Sequence, residues 1–549
     1  MDQVDPILAA LTGRGSPFEI GDVGGMRQFV RAPDSLADLI EQARAHGAHE
    51  AVVEAEGISR SRAFTYDQIF AWGDRVAAEL DIRPGERVAL CLRNRAEWIV
   101  AFIAVIRAGG VTALMNSRGS PAELVAMIDE VSPTLVIADA ERSALIREGG
   151  YTGRLLDNLS DPAASSTGGP PAAHRAAPDD PAVILFTSGT TGRVKGAVLS
   201  HRNIVTGLMN VQMSGAMVIE NLVRAHGVPR DVLLANMPQP AALLVFPLFH
   251  ISGLAAGFLS PFLAGGKIVI MRRWDANAAL SLIASEHITQ FSAVPTMLWD
   301  LLHTAELAEA DLSSLRNVAS GGQALPVNLL EAVRAACPQA MMGTGYGLTE
   351  CAGSIAQAVG EDFLRQPASA GRVMPLIDLR IEDPSGNPLP PGQAGEIVVR
   401  GAQVMLGYHG RPEATAEVLS ADGWLRTGDV GLVDEEGYIF IVDRAKDMII
   451  SGGENIYCAE VERALGEMPG ITECAAIGIA DERLGEVLVA VVRGEGDERG
   501  VTDWVSERLA RYKAPARVAF VNQPLPRNAV GKVDKIALRA AWPALAGEE

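Results

Sequence analysis

The stretch ILFTSGTTGRVKGAVLSH, residues 184–201, decides how the rest of the chain is interpreted. Every position from Thr187 to Gly192 is a glycine or carries a side-chain hydroxyl. Glycine lets the backbone come close to a ligand, and Ser and Thr add short donors, so this loop can present many N–H and O–H groups to one anion. An apolar run before the loop predicts a strand, and the segment from His201 predicts a helix. A strand and a helix on either side are typical of a phosphate-binding loop.

The loop differs from the P-loop of nucleoside triphosphatases. That motif needs four residues between its two glycines and a Ser or Thr after the lysine, whereas Lys195 is followed by Gly196. Taken alone, the stretch leaves open a flexible surface loop rich in Ser and Gly.

Outward from this loop, predicted strands alternate with predicted helices. The buried strand ERVALCL, residues 86–92, lies between the amphipathic segments 66–80 and 96–109. A second series of the same kind runs from about Leu243 to Gly345. This alternation predicts parallel sheets with helices on their faces.

The pattern changes twice after this series. From about Met374 short strands and turns predict a mostly β subdomain, and the last hundred residues return to alternating helices and strands. We therefore predict an α/β fold with two domains. The large N-terminal domain, 1–443, holds parallel αβ-layered sheets and the β-rich subdomain at about 374–443. A small, mobile α+β C-terminal domain follows at 444–549.

Composition restricts the function. The 549 residues are 48% hydrophobic and 21% charged, which is typical of a folded globular protein. A formal net charge of −20 argues against a nucleic-acid-coating surface, because phosphate neutralisation needs a dense Lys/Arg face. Five scattered cysteines without a CxxC pair indicate free thiols and a reducing, cytoplasmic compartment. No apolar run reaches the roughly 20 residues that cross a bilayer, so we expect no membrane span.

Further motifs follow the loop in a fixed order. They are PLFHISG at 247–253, SGGQAL at 320–325, GYGLTE at 345–350, WLRTGD at 424–429, DRAKDMIISGGENIY at 443–457 and LPRNAVGKVDK at 525–535. With TSGTTGRVKG, this series resembles the adenylate-forming superfamily, which includes acyl-CoA synthetases, beetle luciferases and the adenylation domains of nonribosomal peptide synthetases. The resemblance covers nearly the whole chain and is strongest to an acyl-CoA synthetase.

The resemblance implies a two-step reaction. A carboxylic acid and ATP give acyl-AMP and pyrophosphate, and a thiol, usually that of coenzyme A, then takes the acyl group. The implied ligands are ATP, Mg²⁺ and coenzyme A, and the implied enzyme is an AMP-forming carboxylate–CoA ligase.

The resemblance also assigns roles to residues of the nucleotide site. Glu350 is implied to bind Mg²⁺, Thr349 to contact the α-phosphate, and Asp429 to accept the ribose hydroxyls. Residues implied to hold the β- and γ-phosphates are Thr187, Ser188, Gly189, Thr190, Thr191, Gly192 and Lys195. Residues implied to lie along the adenine and ribose are Gly322, Gln323, Ala324, Tyr346, Gly347 and Arg444.

Lys532, in the C-terminal domain, is implied to carry the first step by offsetting charge between the carboxylate and the α-phosphate. In the family the C-terminal domain rotates after adenylation. Lys446 occupies the hinge position, and the CoA channel is assigned to Ser451, Gly452 and Gly453. A glycine-lined channel would let the thin pantetheine arm pass.

The acyl site is less defined by sequence. His250 matches the position where the carboxylate enters, although a buried structural histidine is the alternative. The small tripeptide Cys351–Gly353 predicts open volume and hence a bulky or extended apolar acid. The expanded segment 209–240 is expected to shape acyl access, with a surface excursion or a homodimer contact as the alternatives.

These observations favour an acyl-CoA synthetase for a hydrophobic acid, fatty or alicyclic/aromatic. The alternative within the same chemistry is an acyl-AMP ligase that transfers the acyl group to a carrier protein. A luciferase-like oxygenase and a nucleotide-binding protein without catalysis are further alternatives. Lys532 argues against the last, because a binding module has no use for it.

Overall fold

A computed structural model describes residues 6–159, 174–188, 194–321, 327–444, 448–451, 454–528 and 532–547. In this part of the chain the α-helices, in chain order, are α1 Pro6–Thr12, α2 Leu36–Gln42, α3 Tyr66–Glu79, α4 Ala96–Arg107, α5 Pro121–Val131, α6 Ala140–Glu148, α7 His201–His226, α8 Arg230–Ala235, α9 Ser260–Leu263, α10 Ala276–Ser285, α11 Pro295–Leu302, α12 Val327–Ala336, α13 Glu361–Arg365, α14 Pro412–Val418, α15 Cys458–Gly466, α16 Glu498–Arg508 and α17 Lys535–Leu545.

The first strands form a small hairpin, a seven-stranded sheet and a nine-stranded sheet. In chain order they are β1 Ile20–Val23, β2 Met26–Phe29, β3 Glu50–Glu56, β4 Ser59–Thr65, β5 Arg87–Cys91, β6 Val111–Leu114, β7 Leu135–Ala138, β8 Leu155–Leu156, β9 Pro181–Ser188, β10 Val194–Ser200, β11 Ala241–Leu244, β12 Lys267–Met271, β13 Gln290–Ala293, β14 Asn317–Gly321, β15 Met341–Leu348, β16 Gly353–Val359 and β17 Arg372–Val373.

The remaining strands belong mostly to two smaller sheets. They are β18 Ile377–Glu382, β19 Gly395–Gly401, β20 Gly407–Tyr408, β21 Leu425–Val433, β22 Ile439–Arg444, β23 Ile449–Ser451, β24 Glu454–Ile456, β25 Ile471–Asp481, β26 Gly485–Gly494 and β27 Arg517–Val521. The seven-stranded sheet has the order β20-β10-β9-β6-β5-β7-β8, and the nine-stranded sheet β17-β16-β15-β14-β13-β11-β12-β3-β4. The four-stranded sheet is β18-β19-β21-β22, and the five-stranded sheet is β24-β23-β26-β25 with β27 paired to β26.

Helix α4 occupies the centre of the N-terminal domain. Every residue of it except Glu97 is buried, so the helix is apolar all round, as expected for one enclosed by other layers. Its Trp98 stacks on Phe102 with ring centroids 5.4 Å apart, and both rings pack edge-on against Phe258. Burial of such large rings supplies much of the core stabilisation, and it joins the two large sheets into one body.

Local signals set the starts of several helices. Thr65, Ser120 and Ser200 each begin a helix with a capping box, in which the cap hydroxyl accepts an N–H from the third helical residue. That residue's side chain accepts the N–H of the cap in return. The caps begin α3 directly after β4 and α7 directly after β10.

The predicted α/β class is confirmed, with one refinement. Strands β9, β6, β5, β7 and β8 are parallel, and so are β15, β14, β13, β11, β12 and β3. Antiparallel pairing is confined to β10 and β20 at one edge of the seven-stranded sheet and to β16, β17 and β4 at the edges of the nine-stranded sheet. The sequence analysis passed over the hairpin β3–β4. Its β3 completes the nine-stranded sheet by pairing with β12, more than 200 residues later in the chain.

The expanded segment 209–240 forms the second half of α7 and the short helix α8. Buried residues of α7 end at Ala216, where Ile7 and Leu11 of α1 pack against it. Helix α8 has no buried residue, and Val232 and Leu234 are both 45% exposed. This arrangement fits a surface excursion, one of the predicted alternatives.

Two further expectations bear on the environment of the chain. All five cysteines are free thiols. Across the described ranges, no helix combines the length and the apolar character that crossing a membrane requires.

Candidate active site

The strands on either side of the predicted phosphate loop are antiparallel neighbours. Thr187 of β9 pairs with Lys195 of β10, and Ser188 pairs with Val194. The helix predicted from His201 is confirmed as α7. The strand β10, which lies between the loop and this helix and pairs antiparallel with β9, was not predicted.

Lys195 and Glu350 meet at the side chain of Tyr408. The Tyr408 hydroxyl donates to Glu350 Oε1 at 2.9 Å, and the Lys195 ammonium lies 5.1 Å from the centroid of the Tyr408 ring. Tyr408 holds this position because β20 pairs with β10, with Ala197 opposite Tyr408. The strands that flank the predicted phosphate loop and the predicted Mg²⁺ ligand therefore share one site.

The residues around Glu350 fit a magnesium ion held mainly by a ligand's phosphates. Within the described residues, no group of three or more His, Cys, Asp or Glu side chains could hold a metal ion. Mg²⁺ needs no such cage, since it is usually bound by one or two carboxylates together with phosphate oxygens and water. The hydroxyl of Tyr408 donates to Glu350 Oε1 and orients the carboxylate.

Tyr346 and Asp429 are brought together at the other end of the site. The Tyr346 hydroxyl donates to Asp429 Oδ2 at 2.7 Å, and Asp429 is only 3% exposed. Burial, together with the negative charge of Asp429, raises the pKa of Tyr346 well above its ordinary value. The hydroxyl thus stays protonated and orients the carboxylate. The backbone of Arg444 lies opposite that of Asp429 in the β21–β22 pair, so a third predicted nucleotide residue is on the strand next to Asp429.

Thr349 and Glu350 lie on a short 3₁₀ turn, Thr349–Cys351, that follows β15. The turn ends at Ala352, which has a positive φ of 50°. The prediction that the small residues here leave open volume was wrong for Cys351 and Ala352. Both are buried, and a Cβ on Gly207 of α7 would lie 2.7 Å from the Ala352 carbonyl oxygen. Their small size therefore allows α7 to approach the turn closely.

A buried amide network supports the same turn. Gln403 Nε2 donates to the carbonyl oxygens of Cys351 and Ser354 at 2.9 and 2.8 Å, and its Oε1 accepts from Asn210 of α7 at 2.8 Å. Gln403 and Asn210 have no exposed surface. Because buried amides are costly unless they are hydrogen-bonded, this network fixes the backbone that carries Glu350.

His250 lies within electrostatic range of Lys532. Burial of the imidazole, and secondly the positive charge of Lys532, lower the pKa of His250 to about 4. The ring is therefore neutral near pH 7. His250 precedes a π-helix, Ser252–Leu259. Gly253 of this helix lies so close to Pro247 that an added Cβ would be 2.0 Å from the Pro247 carbonyl oxygen. π-helical turns are frequently found at functional sites.

Several predicted residues lie outside the described part of the chain. They are Gly189, Thr190, Thr191, Gly192, Gly322, Gln323, Ala324, Lys446, Gly452 and Gly453. Of the others, Gly347 lies in β15 beside Tyr346 and Ser451 ends β23. The structure thus brings together Lys195, Glu350 and Thr349 at one position, Tyr346, Asp429 and Arg444 at a second, and His250 with Lys532 at a third.

Sequence reasoning missed Tyr408, Gln403 and Asn210. Each acts through a partner more than 50 residues away, so no local spacing marks it. The available signal was weak: GAQVMLGYHG, residues 401–410, places a Gln and a Tyr in an otherwise apolar stretch just before WLRTGD.

Comparison with known proteins identifies the family. A model described as AMP-binding enzyme matches residues 39–409, and one described as AMP-binding enzyme C-terminal domain matches residues 460–532. The chain belongs to the AMP-binding enzymes. This confirms the predicted adenylate-forming superfamily, whose members use ATP.

Curated relatives of this AMP-binding enzyme are CoA ligases. A feruloyl-CoA synthase of Amycolatopsis sp is 37% identical over 486 residues, covering 87% of this chain and 94% of the relative. A long-chain-fatty-acid–CoA ligase of Mycobacterium tuberculosis (strain ATCC 25618 / H37Rv) is 34% identical over 495 residues, covering 87% and 93%. The predicted class of AMP-forming acid–thiol ligases is thereby confirmed.

A solved relative has the same fold. The o-succinylbenzoate coenzyme A synthetase of Bacillus subtilis, in complex with ATP and a magnesium ion, superposes with a TM-score of 0.75 at 29% identity. The match covers 91% of this chain and 98% of that one. The likeness therefore extends over both the N-terminal and the C-terminal part.

Proposed function

We propose that this AMP-binding enzyme is an ATP- and Mg²⁺-dependent acyl-CoA synthetase for a hydrophobic carboxylic acid, aromatic, alicyclic or aliphatic. The two curated relatives act, by their names, on a feruloyl group and on long-chain fatty acids. Both acids are largely apolar and carry one carboxylate. Coenzyme A is the proposed acceptor.

One observation carries the proposal. Lys532, from the C-terminal part of the chain, lies close enough to His250 for its charge to lower the pKa of that imidazole. A neutral histidine and a lysine at one position suit a ligand that brings negative charge, because the lysine alone supplies the counter-charge. The carboxylate of the acid and the α-phosphate of ATP are two such groups.

In the first step a carboxylate oxygen attacks the α-phosphorus, the bond to the bridging oxygen breaks, and pyrophosphate leaves. Lys532 offsets the charge that develops on the phosphoryl oxygens, which is the main task of a protein in phosphoryl transfer. Neutral His250 orients the carboxylate without protonating it. Thr349 contacts the α-phosphate, and the loop after Thr187, with Lys195, holds the outer phosphates.

The nucleoside is held by the second group of residues. Tyr346 stacks on the adenine, while Asp429, oriented by the Tyr346 hydroxyl, accepts the ribose hydroxyls. A fixed carboxylate suits this role, since its two oxygens offer several lone pairs. Glu350 is the proposed Mg²⁺ ligand, and the ion supplies charge neutralisation of the phosphates when it is bound.

In the second step the CoA thiol attacks the acyl carbon, a thioester forms and AMP leaves. We assign the division at residues 443/444, the hinge at Lys446 and the channel at Ser451–Gly453 to this step. A rotation of the C-terminal domain about that hinge would withdraw Lys532 after adenylation. The pantetheine arm would then enter along the glycines.

A pyrophosphate-release screen tests the function. The panel should vary acids in chain length and ring content, each assayed with and without CoA and with and without Mg²⁺. We expect release with apolar acids, AMP as the nucleotide product, and a thioester only when CoA is present. Release of ADP, or acyl-AMP formation that continues to a carrier protein but never to CoA, would contradict the proposal.

A further inference from the structure

Lys532 belongs to a short antiparallel pairing of two segments in the C-terminal part, residues 525–528 and 532–535, defined here as the lysine hairpin. Asn528 N–H donates to the Lys532 carbonyl at 2.8 Å, and Lys532 N–H donates to Asn528 Oδ1 at 3.1 Å. Arg527 and Val533 form an antiparallel bridge below this pair. The position of the lysine therefore depends on how the base of the hairpin is held.

Glu473 of β25 holds the first arm. Its Oε2 accepts the N–H of Leu525 at 3.1 Å, and its Oε1 accepts from the Arg527 guanidinium. The Glu473 side chain is 16% exposed and that of Arg527 25%, so water screens this ion pair only in part. A single carboxylate thus binds both the backbone and a side chain of the arm.

Glu462 of α15 holds the second arm through Lys535. The Lys535 ammonium lies 2.8 Å from Glu462 Oε1, with the two side chains 17% and 25% exposed. The same Oε1 accepts the N–H of Ala476 in β25 at 2.9 Å, which ties Glu462 to the sheet. The two carboxylates therefore hold the hairpin on either side of Lys532, one from β25 and the other from α15.

Glu473 has a third contact, which allows Arg527 to be tested separately from the carboxylate that it binds. Glu473 Oε2 also lies 3.4 Å from the guanidinium of Arg493, which belongs to β26 and not to the hairpin. Removing Arg527 therefore leaves Glu473 paired with Arg493. Removing Arg493 leaves the hairpin anchored, so the two arginines form a matched pair of variants around one carboxylate.

We infer that Arg527 with Glu473, and Lys535 with Glu462, are positioning residues that place the Lys532 ammonium for adenylation. Neither pair is expected to touch the acid or the nucleotide. This inference rests on the proposed function of Lys532. It predicts that loosening either anchor slows acyl-AMP formation and spares the thioester step, from which Lys532 is withdrawn.

The test compares Arg527→Gln with Arg493→Gln in the full-length protein. Adenylation is followed as pyrophosphate exchange, and thioester formation is started from acyl-AMP prepared beforehand. A displacement of about 1 Å can reduce a rate about a hundredfold, so we expect a 10- to 100-fold lower kcat of adenylation in Arg527→Gln with an unchanged KM for ATP. Thioester formation should stay within about twofold of wild type, and Arg493→Gln should match wild type in both steps.

A second variant tests the other anchor, so that the inference does not depend on Arg527 alone. Lys535→Met, at the other arm, should give the same selective loss, and Arg527→Lys should restore part of the adenylation rate. Equal losses in both steps, or equal effects of Arg527→Gln and Arg493→Gln, would overturn the inference. Absence of pyrophosphate exchange in the wild-type protein with every acid would instead overturn the proposed function.

Discussion

The nucleotide side of the site and the lysine hairpin are stabilised differently. On the nucleotide side, each predicted functional carboxylate accepts a hydrogen bond from a tyrosine of another strand: Tyr346 for Asp429 and Tyr408 for Glu350. The lysine hairpin instead holds Lys532 in place through ion pairs at its base. These pairs are formed by Arg527 and Lys535, not by Lys532 itself. The first region is preorganised within one domain. The second belongs to the C-terminal part of the chain, and its ion pairs are made within that part.

The largest expected effect concerns the lysine hairpin. Lys532→Ala should lower the rate of acyl-AMP formation about 10²- to 10³-fold, because loss of one preorganised group that stabilises transition-state charge costs about this much. ATP binding should remain nearly intact, since the nucleotide residues belong to the other region. Single-turnover adenylation and equilibrium ATP binding measure the two quantities. Adenylation at the wild-type rate would remove Lys532 from the proposed mechanism.

A variant on the nucleotide side should weaken ATP binding more than it slows the chemical step. Asp429→Ala removes the proposed acceptor of the ribose hydroxyls, and a hydrogen bond to a charged group contributes about 1.5–3 kcal/mol. We therefore expect the KM for ATP to rise about 10- to 100-fold. The kcat at saturating ATP should fall much less. A fall in kcat with an unchanged KM for ATP would instead indicate that Asp429 acts in the chemical step, as proposed for Lys532.

The support of Glu350 allows a finer test. Tyr408→Phe removes one hydroxyl donor to Glu350, worth about 0.5–1.5 kcal/mol, so the Mg²⁺ concentration for half-maximal rate should rise about 3- to 10-fold. Tyr438→Phe is the matched control. Its hydroxyl donates to Asp362 at 2.5 Å, away from the proposed site, and the Mg²⁺ dependence should not change. A similar shift of the Mg²⁺ dependence in both variants would mean that it reflects a general loss of stability and not the support of Glu350.

The smallest expected effect is on stability against pH. Burial lowers the pKa of His201 to about 4, as burial and Lys532 do for His250. Both rings have a folded-state pKa below the unfolded value, so the unfolded state binds more protons between about pH 6.5 and 4, and stability falls as pH decreases through that range. Urea unfolding at several pH values measures it. In His201→Gln the slope should be shallower, and an unchanged slope would contradict this assignment.

Much of the fold followed from local pattern. The segments that became α3, β5 and α4 were predicted with bounds close to those observed, because buried strands and amphipathic helices have distinct periods. The antiparallel return of β10 was not. Val194–Ser200 is as consistent with the start of a helix as with a strand until its partners β9 and β20 are known.

The residues of the candidate site also fall into two groups: those that sequence motifs mark and those that only the structure reveals. Motifs marked Tyr346, Glu350, Asp429 and Lys532, because a reaction requires particular groups at particular places in the chain. Tyr408 carries no such mark, since phenylalanine would pack similarly there, and only its distance to Glu350 reveals the role of its hydroxyl.

The sequence by itself determined the family, the α/β class and which side chains are proposed to meet ATP, since these depend on residue types and their order. Only the tertiary structure decided what orients those side chains: the tyrosine donors, the Gln403–Asn210 network and the two carboxylates beneath Lys532. The physical reason is distance along the chain. Hydrogen bonds and ion pairs act over about 3 Å in space, and residues from 50 to nearly 200 positions apart can form them without any shared local pattern.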